Sequence, residues 1–467
     1  MAGAGSIYKN GLLVAGPVSA AAVWFTLRSA GLEPDACWCG AVTAWCAIWW
    51  TFEVVPLPVT ALIPFAVLPL GGVLTHREVA VAYGDTLILL MLAGSIISTA
   101  IEKCGAHRRI AVGMVKLVGT RGDRRIVLGF LAASAGLSMW ISNTATVVML
   151  LPVALAVLDG AANRERLMAP LLLAVAYGAA IGGSATPVGT PPNLIFIQNY
   201  AAATGNEIGF LEWMRIGVPV VVLMLPVAWL WLTRNLGRES RAFELPELGP
   251  WRTDQKRVMI VLALTALGWL TRSAPFGGWS TLIGAEAHAG DSTVALVAVA
   301  ALFALPSGRG NGSRLLDWQT ASSIPWGVFI TIGGGIAIGL AFRESTLGAA
   351  LGEALAPVAE LPLLFMILVL CLLATFFTEI TSNTAVANIL MPVMAATGTA
   401  AGVDPILLMV PVTLGTNFAF MLPVATAPNA IVHGTGKVQV ARMVREGLIL
   451  NVLGAVVITA VCYLILR

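Results

Sequence analysis

Two short polar motifs stand in otherwise apolar sequence, 240 residues apart: Ser142-Asn143-Thr144 within WISNTATVVMLLPV and Ser382-Asn383-Thr384 within EITSNTAVANILMPV. A second pair follows downstream, PVGTPPNLI at 187–195 and PVATAPNAI at 423–431. Ser, Thr and Asn offer hydroxyl and amide oxygens, and Pro and Gly free backbone carbonyls from helical pairing. Together these are neutral oxygen ligands suited to a small hard cation. The set lacks the carboxylates that calcium prefers and the octahedral water shell that magnesium keeps, and no His or Cys cluster suggests zinc. Residues 126–158, 167–206, 380–403 and 405–436 contain no Asp, Glu, Lys or Arg. An anion bound there draws on bound cations and on helix N-termini, each worth roughly half a positive charge. Amide and hydroxyl donors of Asn143, Thr144, Asn383 and Thr384 complete its shell. Cation and anion binding are then coupled by electrostatics, which is how a symporter works. The plainer role for one such motif is to glue helices together; two copies in matching contexts weigh against it.

These motifs need an apolar frame that holds them at one depth. Of 467 residues, 58 % are apolar and 11 % charged, and mean hydropathy is +0.87. Soluble domains carry about a quarter charged residues, so the chain reads as an integral membrane protein. Its long apolar runs, interrupted by Gly and Pro, fit spanning helices of about 20 residues and not barrel strands of about 10. The first run lacks a basic leader and carries Trp24-Phe25 where a cleavage site needs small residues, so it reads as a span and not a signal peptide. Eleven crossings are predicted: 11–27, 36–52, 55–73, 86–101, 168–199, 214–233, 258–271, 292–306, 325–342, 405–432 and 446–466. Two further stretches, 126–158 and 361–396, hold a Ser-Asn-Thr motif near the middle, with Pro152 or Pro392 beyond it. They predict re-entrant helical hairpins, because non-helical backbone at membrane depth is tolerated only where it is buried in protein or lines a cavity.

Charge places the ends. With the N-terminus in the cytoplasm and both hairpins re-entrant, 21 of the 27 Lys and Arg residues fall inside, as the positive-inside rule asks. The C-terminus is then outside. Five crossings separate the hairpins, so they open to opposite sides, and the chain predicts an inverted repeat with its site at the repeat interface. The first half is 1–233, with hairpin 126–158 and broken helix 168–199. A polar, Pro-containing cytoplasmic linker covers 234–257. The second half is 258–467, with hairpin 361–396 and broken helix 405–432. The fold class is all-α and polytopic. The stretches 102–120 and 342–360, ahead of each hairpin, are amphipathic and suit the membrane interface. The expected location is the bacterial inner (plasma) membrane, with the lipid bilayer and a small anion as partners and no nucleic acid.

The motifs SMWISNTAT and TEITSNTA, with GTPPN and TAPN, resemble those of the divalent anion:sodium symporter (DASS, INDY-like) family of di- and tricarboxylate and sulfate carriers. The likeness runs in order along essentially the whole chain. It implies a homodimer whose protomers each have a scaffold domain and a transport domain holding both hairpins, with transport by an elevator movement. It implies two sodium sites. Ser138, Ser142, Asn143 and the Gly189 backbone form the first. Thr378, the Thr381 backbone, Asn383 and the Ala425 backbone form the second. Substrate carboxylates are expected between Asn143-Thr144 and Asn383-Thr384, with Thr190 and Thr426 nearby. Ser138 and Thr378 each precede their motif by four residues, one helical turn. The second break reads Thr426-Ala427-Pro428-Asn429, where many relatives have two prolines, and Ala427 lies beside the expected substrate. The expected function is sodium-coupled uptake of a small dianion, first of all a C4-dicarboxylate such as succinate, malate or fumarate. A sodium-independent dicarboxylate exchanger and a sodium/sulfate symporter share the fold and remain alternatives. A channel gives no reason for two opposed hairpins, and no nucleophile–base pair or metal triad supports an enzyme.

Glu379 is the acidic residue beside a tip. It is expected to be a structural acceptor, with proton carriage as the alternative. His433 is expected to be structural. Gly333-Gly334-Gly335 is expected to be a close helix-packing surface and not a phosphate loop, having no Lys-Ser/Thr and no preceding strand.

Overall fold

The computed structural model describes residues 2–161, 163–237, 243, 245–273, 278–286, 288–310, 312–351, 354 and 361–466. Among these, strand pairing is confined to an isolated bridge between Pro306 and Arg314. The remaining regular structure is helical. Six segments are by themselves long and apolar enough to cross a membrane: Gly11–Ser29, His76–Cys104, Arg164–Gly183, Phe210–Thr233, Trp326–Glu344 and Val440–Ile465.

The chain opens with α1 (Ala2–Ser29) and α2 (Pro34–Phe52), packed on each other. The stretch 55–73, read above as one crossing, is divided into α3 (Leu57–Thr60) and α4 (Ile63–Leu70). Pro64, in the first turn of α4, accounts for the division, since it lacks the N–H that would pair with the Thr60 carbonyl and its ring crowds that turn. α5 (His76–Tyr83) and α6 (Thr86–Cys104) follow, then α7 (Ala106–Val118), which occupies the first of the two amphipathic stretches. Of the other, 342–360, residues 342–351 and 354 are described, and 347–351 are helical.

Both expected hairpins are helix–turn–helix units. α8 (Asp123–Ser138) is followed by turn 139–142 and α9 (Asn143–Asp159). Their neighbours are α10 (Arg164–Gly183), a break at 184–190, and α11 (Pro191–Thr204). Next come α12 (Phe210–Thr233), α13 (Thr253–Leu270), α14 (Gly278–Leu282), α15 (Asp291–Ala304), α16 (Trp318–Ala321) and α17 (Trp326–Glu344). The second unit is α18 (Leu363–Thr378), turn 379–382 and α19 (Asn383–Ala400). After it stand α20 (Ile406–Asn417), a break at 418–426, α21 (Ala427–Gly434) and finally α22 (Val440–Ile465). α8 and α18 have 16 residues each. At ~1.5 Å per residue they reach about 24 Å, short of the ~30 Å hydrocarbon core.

The packing repeats. α8 and α9 lie on α10, as α18 and α19 lie on α20; across the halves α9 meets α21 and α19 meets α11. α10 is buried on all sides from Ala169 to Gly183, as a helix apolar all round should be. It approaches α8 so closely that glycine is required. A Cβ on Gly178 would lie 2.6 Å from the Leu131 carbonyl oxygen, and one on Gly182 only 2.2 Å from that of Ala135. The triple glycine of α17 is also a contact face: a Cβ on Gly333 would strike the Tyr83 ring at 2.5 Å and one on Gly335 would strike Asn388 Oδ1 at 2.0 Å.

The basic segments gather at one end. Arg252 and Gln255 donate to the Cys104 carbonyl at 2.6 and 3.0 Å. Arg109 donates to the carbonyls of Gly249 and Pro250 at 2.8 and 2.7 Å. Lys103 pairs with Asp317, and Arg234 with Glu446 at 2.7 Å. At the far end of α13, Arg272 pairs with Asp291 at 2.7 Å. Arg238, Arg241 and Glu244 of the linker lie outside the described residues.

Asp254, in the first turn of α13 and ahead of the span 258–271, accepts from both Arg252 and Arg309. Burial pushes its carboxyl pKa up, but the two guanidinium groups outweigh burial and hold it at about 2. A folded-state pKa below the unfolded one gives stability that is complete above the ordinary carboxylate range and lost as pH falls toward 2. Asp254→Asn is therefore expected to cost about 1–2 kcal/mol at neutral pH, between an exposed and a buried pair. Thermal midpoints of the purified protein should differ at pH 7 and converge toward pH 3. A pH-independent difference would mean that the cluster does not stabilise through this charge.

Candidate functional site

The first tip is built from its helix ends. Ser142 caps α9, its Oγ accepting from the Ala145 N–H at 3.2 Å, as an N-cap serine does. That fixes Asn143 as the first helical residue. One turn back, the Ser138 hydroxyl donates to Asn143 Oδ1. The same Oδ1 lies against the end of α10, where a Cβ on Gly183 would fall 2.6 Å from it. A Cβ on Gly189 would fall 2.4 Å from the Gly183 carbonyl oxygen. Only glycine permits so close a convergence. Asn193, in the first turn of α11, closes the break: its Nδ2 donates to the carbonyls of Gly183 at 3.0 Å and Thr186 at 2.8 Å. The Thr186 hydroxyl donates to the Met139 carbonyl at 2.6 Å, tying break to turn.

The second half repeats the hydroxyl–amide pair and the closing asparagine, whereas Ser382 makes no capping bond to α19. The Thr378 hydroxyl donates to Asn383 Oδ1 at 2.6 Å. Asn429 Nδ2 donates to the carbonyls of Ala419 at 2.9 Å and Leu422 at 3.1 Å. These carbonyls lie 10 and 7 residues back, the offsets seen at Asn193. Thr426 caps α21, accepting from the Asn429 N–H at 3.3 Å. The Thr381 hydroxyl donates to the Trp50 carbonyl at 3.3 Å, anchoring this tip on α2. The two break regions are also bonded across the halves, Asn417 Nδ2 donating to Asn193 Oδ1 at 2.9 Å and the Tyr177 hydroxyl to the Phe420 carbonyl at 2.7 Å.

Burial separates the expected ligands into two layers. Ser138, Gly189, Thr190, Thr378, Thr381 and Ala425 are buried. Asn143, Asn383, Thr384 and Thr426 are half-buried, whereas Ser142, Thr144 and Ala427 are exposed. Each tip is thus gathered with its own break. Two cavities, of about 230 Å³ beside Asn199 and Arg343 and about 720 Å³ between α13 and α15, lie elsewhere and are lined by none of these residues.

Sequence reading overlooked several members of this region. Gly183, Asn417 and Tyr177 hold the breaks alongside Asn193 of the GTPPN motif, and the signal for Asn417 is a polar amide within an apolar span. Glu379 is a structural acceptor here. Its carboxylate receives the N–H groups of Met421 at 2.8 Å and Leu422 at 2.9 Å and Asn451 Nδ2 at 2.7 Å. His433 Nδ1 lies 3.0 Å from the Val438 carbonyl, which fits a ring N–H closing the end of α21. Trp140, in the first turn, stacks on Trp269 of α13 at 6.5 Å and 2° and on Phe210 of α12 at 6.3 Å and 17°.

Among the described residues, no group of three His, Cys, Asp or Glu side chains could hold a metal. The oxygens that do converge are neutral, a donor set suited to a monovalent cation and poorly suited to a divalent one. Duplicated tips of neutral oxygens, each packed on a helix break within an apolar helical chain, define a membrane transporter. Its fold is similar to that of the YdaH transporter of Alcanivorax borkumensis, with a TM-score of 0.56, 16 % identity, and 84 % of this chain and 86 % of that one covered. The sequence matches the family described as the sodium:sulfate symporter transmembrane region over residues 9–465. The chain belongs to that family, the divalent anion:sodium symporters whose motifs it carries. It is 38 % identical over 444 residues to the sodium-dependent dicarboxylate transporter SdcS of Staphylococcus saprophyticus, covering 91 % of this chain and 85 % of that protein. The SdcS of Staphylococcus aureus is 35 % identical over 447 residues, with the same coverage.

Proposed function

We propose that this protein couples sodium influx to the uptake of a C4-dicarboxylate such as succinate, malate or fumarate. The observation that carries this reading is the repeated hydroxyl–amide pair, Ser138 with Asn143 and Thr378 with Asn383, each backed by a break closed by an asparagine. One sodium ion binds Ser138, Ser142, Asn143 and the Gly189 carbonyl. The second binds Thr378, Asn383 and the carbonyls of Thr381 and Ala425. To receive the ion, each hydroxyl turns its hydrogen away and presents lone pairs. Substrate carboxylates rest on Asn143-Thr144 and Asn383-Thr384, with Thr190 and Thr426 alongside. The sodium-dependent dicarboxylate transport of the SdcS relatives supports the substrate class. Two sodium ions balance a dianion. Without them its charges face a site with no cationic side chain, so the cations load first.

The layout follows the same reading. Hairpins 126–158 and 361–396 are re-entrant, and halves 1–233 and 258–467 form an inverted repeat joined by the linker 234–257, with eleven crossings in all. The short first arms support this, as does the gathering of basic segments at one end, which we place in the cytoplasm of a plasma-membrane protein with the N-terminus. The homodimer, the scaffold and transport domains and the elevator movement rest on family membership.

Radiolabelled succinate uptake into proteoliposomes tests the reading. Accumulation is expected with an inward sodium gradient and not with an equal potassium gradient. Uptake that requires internal dicarboxylate and ignores sodium would make the protein an exchanger. Sulfate uptake without succinate uptake would keep the coupling and overturn the substrate.

A further inference from the structure

We propose that Asn417 is a positioning residue that couples the two cation sites, so that filling one raises the affinity of the other. The proposal rests on the site assignment above. It starts from a continuous buried path between the two tips. Asn143 Oδ1 touches Gly183. The Gly183 carbonyl accepts from Asn193 Nδ2 at 3.0 Å, and Asn193 Oδ1 accepts from Asn417 Nδ2 at 2.9 Å. Asn417 is the last residue of α20, so the second break starts at its own backbone. Within that break, the N–H groups of Met421 and Leu422 are held by Glu379. Glu379 follows Thr378, whose hydroxyl returns the path to Asn383.

Three features make this path a coupling element and not ordinary packing. Asn193 and Asn417 are 0 % and 2 % exposed, so water cannot substitute for either partner. Among the described residues Asn417 Oδ1 has no hydrogen-bond partner, so the bond to Asn193 is the tie that orients this amide. Asn193 also uses both amide hydrogens on the carbonyls of the first break. Any shift of the Gly183 carbonyl when a cation draws in Asn143 and Gly189 must turn Asn193. Turning Asn193 moves the acceptor of Asn417, and with it the entry to the second break. Coupling of this kind is reciprocal by thermodynamic linkage.

The test is sodium activation of succinate uptake at saturating succinate, comparing wild type with Asn417→Leu, which keeps the volume, and Asn417→Ser, which keeps a donor. Wild type is expected to show a Hill coefficient approaching 2 and N417L one near 1, with half-saturating sodium raised several-fold and N417S lying between, as loss of a coupling free energy requires (values about these, given two sites). Succinate KM at saturating sodium should stay near the wild-type value, which a merely damaged structure would not preserve. Sodium-dependent thermal stabilisation in detergent gives the same comparison without transport, should N417L prove inactive. An unchanged Hill coefficient in N417L, or non-cooperative sodium activation in wild type, overturns the coupling while leaving the sites standing. Sodium-independent wild-type uptake overturns the site reading itself.

Discussion

Asn143→Ala is expected to abolish sodium-driven accumulation of succinate, and Asn383→Ala to do the same. Each amide sits between two layers. Its Oδ1 faces a buried hydroxyl, Ser138 or Thr378, and the residue itself is half-buried beside an accessible threonine. In the sites proposed above, one side chain serves both cation and carboxylate. A hydrogen bond to a charged group contributes about 1.5–3 kcal/mol, and ~1.4 kcal/mol is a factor of ten. Losing contacts to both ions costs roughly two to four orders of magnitude in transport by that arithmetic. Folding should survive, because among the described residues neither amide donates to a distant backbone carbonyl as those of Asn193 and Asn429 do. The check is proteoliposome uptake alongside size-exclusion profiles. Sodium-driven accumulation by both variants would remove the site assignment.

Glu379 is expected to separate structure from proton coupling. Among the described residues its carboxylate is hydrogen-bonded by donors alone: two backbone N–H groups and Asn451 Nδ2. A protonated carboxyl would set its own O–H against them, so the surroundings suit a fixed acceptor and not a proton carrier. Glu379→Ala strands all three donors at about 1–3 kcal/mol each, a sum that approaches the whole stability of a typical protein. Low yield of folded protein is the expected outcome. Glu379→Gln keeps one oxygen and should fold with its sodium dependence intact, at weakened apparent sodium affinity, because the break that carries Ala425 loosens. Uptake measured across pH 6 to 8 checks this. Loss of transport with a displaced pH optimum in E379Q would mean that Glu379 carries a proton.

The motifs were legible because chemistry and spacing coincide. A polar triplet within apolar sequence, followed about fifty residues on by a proline pair or Ala-Pro, marks Asn143 and Asn383 without any tertiary information; Ser138 and Thr378 came with the family resemblance, and the structure bonds each of them to its asparagine. Helix ends followed from the same signals: α9 and α19 begin at Asn143 and Asn383, and α11 and α21 begin just after Thr190 and Thr426. What stayed hidden depends on distance along the chain. Nothing local says that Glu379 will hold N–H groups 42 and 43 residues away, or that Asn417 will meet Asn193 across 224 residues. The division of 55–73 was visible in its prolines but was masked by an apolar composition that hydropathy reads as one span. Gly183 was missed because its role is steric: it matters for the atom it lacks.

The ring stack of Trp140, Phe210 and Trp269 gives the protein a built-in optical gauge. Trp140 belongs to the first tip and Trp269 to α13, more than a hundred positions along the chain, and their planes differ by only 2°. Phe210 lies 4.4 Å from Trp269 and 6.3 Å from Trp140, so the three near-parallel rings form a triangular cluster. Parallel indoles at this separation are close enough for their excited states to mix, and any sliding of the tip past α13 would unmix them. Near-ultraviolet circular dichroism of unlabelled protein then reads the tip's position directly, with Trp269→Phe as the blank. A signal that stays flat on adding sodium and succinate would mean that tip and α13 travel together.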